Sequence, residues 1–365
     1  MKILILTRHF YPIDRPSGVI SLIREFVSAL ENLGHEVRVA CTKSAGEMNT
    51  YIDDSGLHIY KFHKFWPQGL RQIEKEFSPD RVIIFSSVSK GILLLVWWLL
   101  SSLIAGSTKK TCFYQTTNLE LLNNQKKLFR LFLKPFNWVF CANKSIVDEI
   151  GLDKDMGSLL LPGVDLKSIR KIAPPRGDNK NTTQPFSVCF MGHLSHIKGS
   201  DIVVDLAERL PEIHFNIIAG YSPGKKNIEF YQLLIKRIHS IKNITHFDYA
   251  SNPIKLLSNN NVLILPYRSG ATVLGVAQSA IESMALGIPV LSSDNDAVRE
   301  ILIDGHNGYH AQSTEDFEQL ILSLATQDAN YIRLCRNAAE TAESTFDISQ
   351  QARKLLNIEK HHVRL

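Results

Sequence analysis

The chain has 365 residues, enough for two domains of ordinary size with a core apiece. Charged residues at 21% and hydrophobic ones at 44% are the proportions of a soluble globular protein. The net charge of +5 lies entirely in the first half: residues 1–170 carry 22 Lys and Arg against 16 Asp and Glu, and residues 171–365 carry 19 against 20. Clusters at Lys109-Lys110 and at Lys126, Lys127, Arg130 and Lys134 give that half a basic surface. It suits an anionic partner, acidic lipid or a lipid diphosphate, better than nucleic acid, although a merely solvated basic face is the plainer reading. Five cysteines without CxxC spacing argue against a zinc site and for a reducing compartment.

Residues 2–7, KILILT, form a continuous apolar run, as expected of a parallel strand buried on both faces. Only four apolar residues follow Met1-Lys2, too few for a signal peptide, so a cytoplasmic protein is expected. A loop through Ser17 and Gly18 leads into a helix with apolar residues at Ile20, Ile23, Phe26, Val27 and Leu30, and Glu36 to Ala40 is the next strand. Gly18 at the helix entrance lets a backbone approach a phosphate, or is a plain loop glycine. Because G-x-G-x-x-G is lacking, no dinucleotide fingerprint is expected. Further strands are predicted at 81–85, 111–114 and 137–141.

Between Lys90 and Lys109 no charge occurs, and residues 91–107 read GILLLVWWLLSSLIAGS. The run is shorter than the ~20 apolar residues a spanning helix needs. As a helix it is apolar all round, so either other elements cover it or its outer face docks on lipid or a partner. Residues 171–185 are polar, rich in Pro, Asn and Thr, and aperiodic, the character of a linker.

After the linker, Phe186 to Met191 is a strand, followed by Gly192, His193 and, after four more residues, Lys198-Gly199. Strands and helices then alternate through HFNIIAG, ITHFDY and VLILPY, as in a doubly wound sheet. Residues 274–301 read as a helix, a tight Gly-Ile-Pro connection, a buried strand and a second helix start. Ala277, Ala280, Ile281 and Met284 share one helix face; Gln278 and Glu282 share the other. The amides of Gly275, Val276 and Ala277 fall at or near the helix N-terminus, a phosphate cradle in principle. Glu282 lies about 10 Å further along the axis at ~1.5 Å per residue, the span from a diphosphate to a ribose. Alternatively it is a solvated surface carboxylate.

The run Glu282 to Val290, ESMALGIPV, and Val298-Arg299-Glu300-Ile301 resemble the nucleotide-sugar signature of the retaining family-4 glycosyltransferases, which have the GT-B fold. Pro162-Gly163-Val164-Asp165, Lys198-Gly199, Tyr11-Pro12 with Ser17-Gly18, and Gly34 to Val37 also resemble that family, so the likeness covers nearly the whole chain. Leu274 stands where the family has its first Glu, Ala277 where it has a second Gly, and His193 where Arg is usual. A family His is absent near Thr117, the best match to an acceptor-side position, and Asp248-Tyr249 falls on the loop beside the nucleobase.

The resemblance implies α/β architecture of the GT-B type, with two Rossmann-like doubly wound parallel-sheet domains facing a cleft. The boundaries would be 1–170 for an acceptor-binding domain, crossed back upon by 347–365, a linker at 171–185, and 186–346 for the donor-binding domain. The implied reaction is metal-independent sugar transfer with retention, from a UDP- or GDP-sugar and without a cofactor. The acceptor would be a saccharide, lipid-linked in bacterial surface polysaccharide assembly. Lys198, His193 and Glu282 are its expected catalytic residues. Donor contacts are expected from Ser17, Gly18, Gly192, Tyr249, Leu274, Gly275, Val276, Ala277, Gln278, Glu282 and Glu300. The alternative is a degenerate relative that binds nucleotide or a partner without transfer. His193 adds a second positive charge only when protonated, with a reference pKa of ~6.5, so activity should depend on pH near neutrality more than in an Arg-bearing relative. A rate that stays flat from about pH 6 to about pH 8.5 would count against this.

Overall fold

The computed structural model describes residues 1–7, 10, 18–42, 49–62, 66–86, 111–117, 123–134, 136, 138–152, 157–176, 185–219, 228–248, 250–268, 275–326 and 328–356. The chain divides into two compact units, one made of Met1–Pro162, Ala271–Val276 and Ile348–Leu365, the other of Gly163–Gly270 and Ala277–Asp347.

In the first unit the buried run at the N-terminus becomes β1 (Lys2–Thr7), followed by α1 (Gly18–Asn32), β2 (Glu36–Thr42), β3 (Asn49–Ile52), β4 (His58–Phe62), α2 (Trp66–Phe77) and β5 (Arg81–Ser86). Then come β6 (Thr111–Gln115), α3 (Asn123–Leu133), β7 (Trp138–Cys141), α4 (Lys144–Ile150) and β8 (Gly157–Leu159). The sheet order is β3-β4-β2-β1-β5-β6-β7-β8. All neighbours are parallel except β3 and β4, with Ile5 opposite both Val39 and Ile83. Helices cover both faces of such a sheet, which is why Ile3 to Leu6 and Val82 to Phe85 are all buried. The terminal helix Ile348–Leu356 packs on α1. Buried Arg81 pins its end, donating from Nη1 to the Leu356 carbonyl at 3.0 Å while its guanidinium lies 4.9 Å over the Trp138 ring. A cation at a helix C-terminus meets carbonyls that have no partner within the helix.

The second unit runs α5 (Leu166–Ile172), β9 (Ser187–Met191), α6 (Ser200–Arg209), β10 (His214–Ile218), α7 (Ile228–Ser240), β11 (Ile244–Phe247), α8 (Pro253–Ser258) and β12 (Val262–Leu265). It continues with α9 (Gln278–Ala285), β13 (Val290–Ser293), α10 (Asp296–Arg299), β14 (Gly308–Ala311), α11 (Thr314–Thr326) and α12 (Asp328–Thr345). Its parallel sheet has the order β11-β10-β9-β12-β13-β14. The Asn run after α8 stitches the sheet together: Asn261 Oδ1 accepts from the Ser187 N–H at 3.0 Å, and Asn260 Oδ1 from Asn216 Nδ2 at 2.8 Å.

Two expected boundaries are corrected. The division falls at Pro162–Gly163, and residues 163–176 belong to the second unit instead of closing the first or starting a linker. Val164 bridges to Asp347, and Arg176 donates to the Tyr331 hydroxyl and, through its backbone N–H, to the Leu286 carbonyl, both at 2.9 Å. Conversely, residues 271–276, expected in the donor domain, group with the first unit. The apolar run 91–107 lies outside the described residues. No helix among the described residues is long and apolar enough to cross a membrane. All five cysteines are buried free thiols, and burial pushes Cys41 and Cys335 up to about 11.

Candidate functional site

In the second unit the strand order reverses between β9 and β12, the topological switch point at which doubly wound sheets receive ligands beyond their strand ends. The loops following these two strands meet there. Gly192 leaves β9 with its N–H bonded to the Ile218 carbonyl at 3.1 Å, and His193 beside it is exposed. A short 3-10 turn, His196–Lys198, follows. It ends at Gly199, whose φ of +64° favours glycine. A Cβ at Gly199 would lie 1.9 Å from the Pro266 carbonyl oxygen, so this turn rests directly on the backbone leaving β12.

Lys198 Nζ stands 4.1 Å over the Tyr267 ring. Among the described residues no carboxylate pairs with it. The neighbouring cation, Arg268, is neutralised: Nη1 and Nη2 donate to the two oxygens of Asp201 at 2.7 and 2.9 Å. Arg268 also donates from Nη1 to the His196 carbonyl at 3.0 Å and from its backbone N–H to the Ile197 carbonyl at 2.9 Å. One cation is therefore tied into the scaffold by a carboxylate, and the other meets only the face of an uncharged ring among the described residues.

The expected amide cradle before Glu282 is corrected. Helix α9 begins at Gln278 with Ala277 as its cap. The Gly275 N–H donates to the Thr116 carbonyl at 2.6 Å, and the Ala277 N–H to the Ala297 carbonyl at 2.8 Å, so neither is left for a phosphate. Gly275 is held within the first unit. Its carbonyl accepts from Asn143 Nδ2 at 2.6 Å, and a Cβ there would come within 2.9 Å of Ile146 Cδ1. Val276 is fully buried. Gln278 is also buried instead of displayed on an open face; its Nε2 donates to the Gly163 carbonyl at 3.1 Å, and its Oε1 has no partner among the described residues. Glu282 is half-buried on α9.

Residues 175–344, which carry Lys198, Glu282 and Glu300, match the family described as glycosyl transferases group 1. The chain carries a glycosyl transferases group 1 domain. It is 22% identical over 210 residues to an uncharacterized glycosyltransferase of Methanocaldococcus jannaschii, the match covering 54% of this chain and 52% of that one. It is 24% identical over 185 residues to spore coat protein SA of Bacillus subtilis, covering 47% and 48%. The chain thus spans about half the length of the curated relatives it matches. Its fold is GT-B. Anabaena HepE, crystallised with UDP and glucose, is similar at a TM-score of 0.75 and 13% identity over 99% of this chain and 100% of that chain. The lipopolysaccharide outer core galactosyltransferase WaaB is similar at a TM-score of 0.64 and 16% identity, covering 99% of both chains.

Elsewhere in the group 1 domain, Glu300 caps the C-terminus of α10 and is half-buried. Asp294 and Asp296, spaced like a metal-binding D-x-D pair, both engage Arg299. Among the described residues no cluster of His, Cys, Asp and Glu is arranged to hold a metal ion. In the first unit Gly18 opens α1, and Thr117 is buried beyond β6, its carbonyl accepting from Gln115 Nε2 at 2.8 Å. Ser17, Tyr249 and Leu274 lie outside the described residues.

Sequence reasoning missed Tyr267, Arg268 and Asp201. A signal for them did exist: residues just after the first and fourth strands of a doubly wound sheet converge at its switch point. Burial works against the charge of Asp201, but the hydrogen bonds and charge of Arg268 outweigh it and hold the carboxyl below the usual carboxylate range. Because the folded-state value is depressed, the stabilisation is present above the unfolded value of ~3.9 and is lost as pH falls through the folded one. Asp201→Asn should therefore lower urea stability near pH 7 and lose that deficit as pH falls through the depressed folded-state value. A deficit that does not shrink on acidification would show that the ion pair is not its source.

Proposed function

We propose that the chain is a glycosyltransferase moving a sugar, with retention and without a metal or other cofactor, from a UDP- or GDP-sugar to a saccharide acceptor. The observation that carries this reading is the ammonium of Lys198, unpaired by any described carboxylate at the switch point of the group 1 domain. When a glycosidic bond to a diphosphate breaks, negative charge grows on the leaving oxygens. A cation positioned beforehand lowers the barrier without reorganising solvent. A flexible ammonium follows that charge better than a planar fork does. Half-buried Glu282 would accept from the ribose hydroxyls, with Glu300 a further donor contact and His193 a second cation when protonated. HepE, crystallised with UDP and glucose, supports the donor class, and the name of WaaB supports a saccharide acceptor.

The acceptor in this reading is lipid-linked, as in bacterial surface polysaccharide assembly, and the protein works at the inner face of the cell membrane. Helix α3 supports this. Leu128 and Leu131, 40% and 55% exposed, share its outer arc with exposed Lys127 and Arg130, and exposed Lys134 lies just past its end. An apolar edge beside a cationic one suits an anionic lipid surface.

A second reading, nucleotide binding without transfer, draws on the Gly275 and Ala277 amides already bonded to carbonyls. A panel of UDP- and GDP-sugars distinguishes the two, scored for binding, slow hydrolysis and transfer to soluble or lipid-linked acceptor extracts, with and without anionic vesicles. Donor hydrolysis and transfer to the lipid-linked extract are expected. Binding with no turnover on any acceptor would establish the second reading, and no binding at all would remove both.

A further inference from the structure

A cation meant for an arriving diphosphate needs support that does not cancel its charge. A carboxylate partner would fix Lys198 but would have to be displaced by the ligand. The Tyr267 ring holds the ammonium from its face at 4.1 Å and carries no net charge. That ring is itself fixed. Tyr267 is 5% exposed, its carbonyl accepts from the Ser293 hydroxyl, and the preceding Leu265 carbonyl accepts from Ser292 Oγ at 2.9 Å. On the other side of the turn, Arg268 ties the His196 and Ile197 carbonyls to the first turn of α6 through Asp201. Gly199 lies flat on Pro266, where no side chain fits.

We infer that Pro266–Arg268 is a platform that positions Lys198 for the diphosphate of a nucleotide, Tyr267 steadying the ammonium without neutralising it and Arg268 fixing the turn that bears it. Tyr267 and Arg268 are positioning residues, since they act through Lys198. The inference rests on the nucleotide-sugar reading above. It adds a role for the three consecutive residues after β12 that contact the loop after β9.

The test is a double-mutant cycle on the full chain, with calorimetric titration of UDP and of GDP. Tyr267→Leu should weaken binding about fivefold in the wild-type background. In the Lys198→Met background it should add no further loss, because the ring has no ammonium left to hold. Tyr267→Phe, which keeps the ring, should restore affinity. Equal losses in both backgrounds, or a Phe variant as weak as the Leu variant, would reduce Tyr267 to packing and overturn the inference while leaving the nucleotide reading intact. Failure of the wild-type chain to bind either nucleotide would remove that reading and the inference together. Should Tyr267→Leu not fold, Arg268→Met takes its place in the cycle. Its side chain is 33% exposed, and it should weaken binding only while Lys198 is present.

Discussion

Lys198→Ala is expected to lower kcat/KM by about 100- to 1000-fold, the usual effect of removing one preorganised group that meets developing negative charge. The fold should hardly notice. Lys198 is half-buried at the end of a short turn, and removing it leaves no described carboxylate without a partner. Its stability should therefore change by no more than the ~0.5 kcal/mol typical of surface changes. Lys198→Arg is not a conservative control, because a rigid guanidinium over the Tyr267 ring cannot follow a moving phosphate as an ammonium does. The decisive measurement pairs steady-state kinetics on the donor found in the panel with a thermal melt. Turnover retained within about threefold would remove Lys198 from the reaction.

Gly199→Ala carries the largest expected cost in stability, about 3 kcal/mol, from two sources that add. The backbone at φ +64° is unfavourable for any residue with a Cβ, and the added carbon would sit 1.9 Å from the Pro266 oxygen and 2.8 Å from its carbon. Backbone cannot swing aside as a flexible side chain can, so the turn must lift off Pro266. Lifting it moves Lys198 away from Tyr267, and activity should fall even though every charged group is still present. Gly192→Ala is the contrasting variant for stability, since among the described residues a Cβ there meets only Phe190 Cζ, at 3.7 Å. Thermal melts of the two variants side by side read the difference. Equal melting temperatures would show that the turn relaxes without cost.

The strands most legible in the sequence were those buried on both faces, because a short, continuous apolar run is stable only where neighbours cover it above and below. KILILT, RVIIF and VLILPY all became central strands of their sheets. Those it concealed lie toward sheet edges. β3 reads NTYI, β4 HIYKF, β8 GSL and β14 GYHA, all short, with polar or small residues that carry little periodicity. The motif marked Lys198 as a candidate in the loop after β9, yet its surroundings were not legible. Tyr267 read as the last residue of an apolar strand, and only the switch in strand order brings it under the loop after β9. The amides of Gly275 and Ala277 were misplaced for a related reason. Helical spacing marks where donors lie along the chain, but the carbonyl of Thr116, far off in sequence, decides whether one is spent.

The path of the backbone limits how this architecture can be rearranged. Its course changes unit at Pro162–Gly163, Gly270–Ala271, Val276–Ala277 and Asp347–Ile348. No single cut liberates either half. A fragment spanning 163–347 would carry Gly275 and Val276 as a stranded excursion, deprived of the Thr116 carbonyl and the Asn143 amide. Chimaeras that graft a new second unit would need compatible seams at every one of those joints, so point changes at the strand ends disturb the architecture less than shuffling modules does.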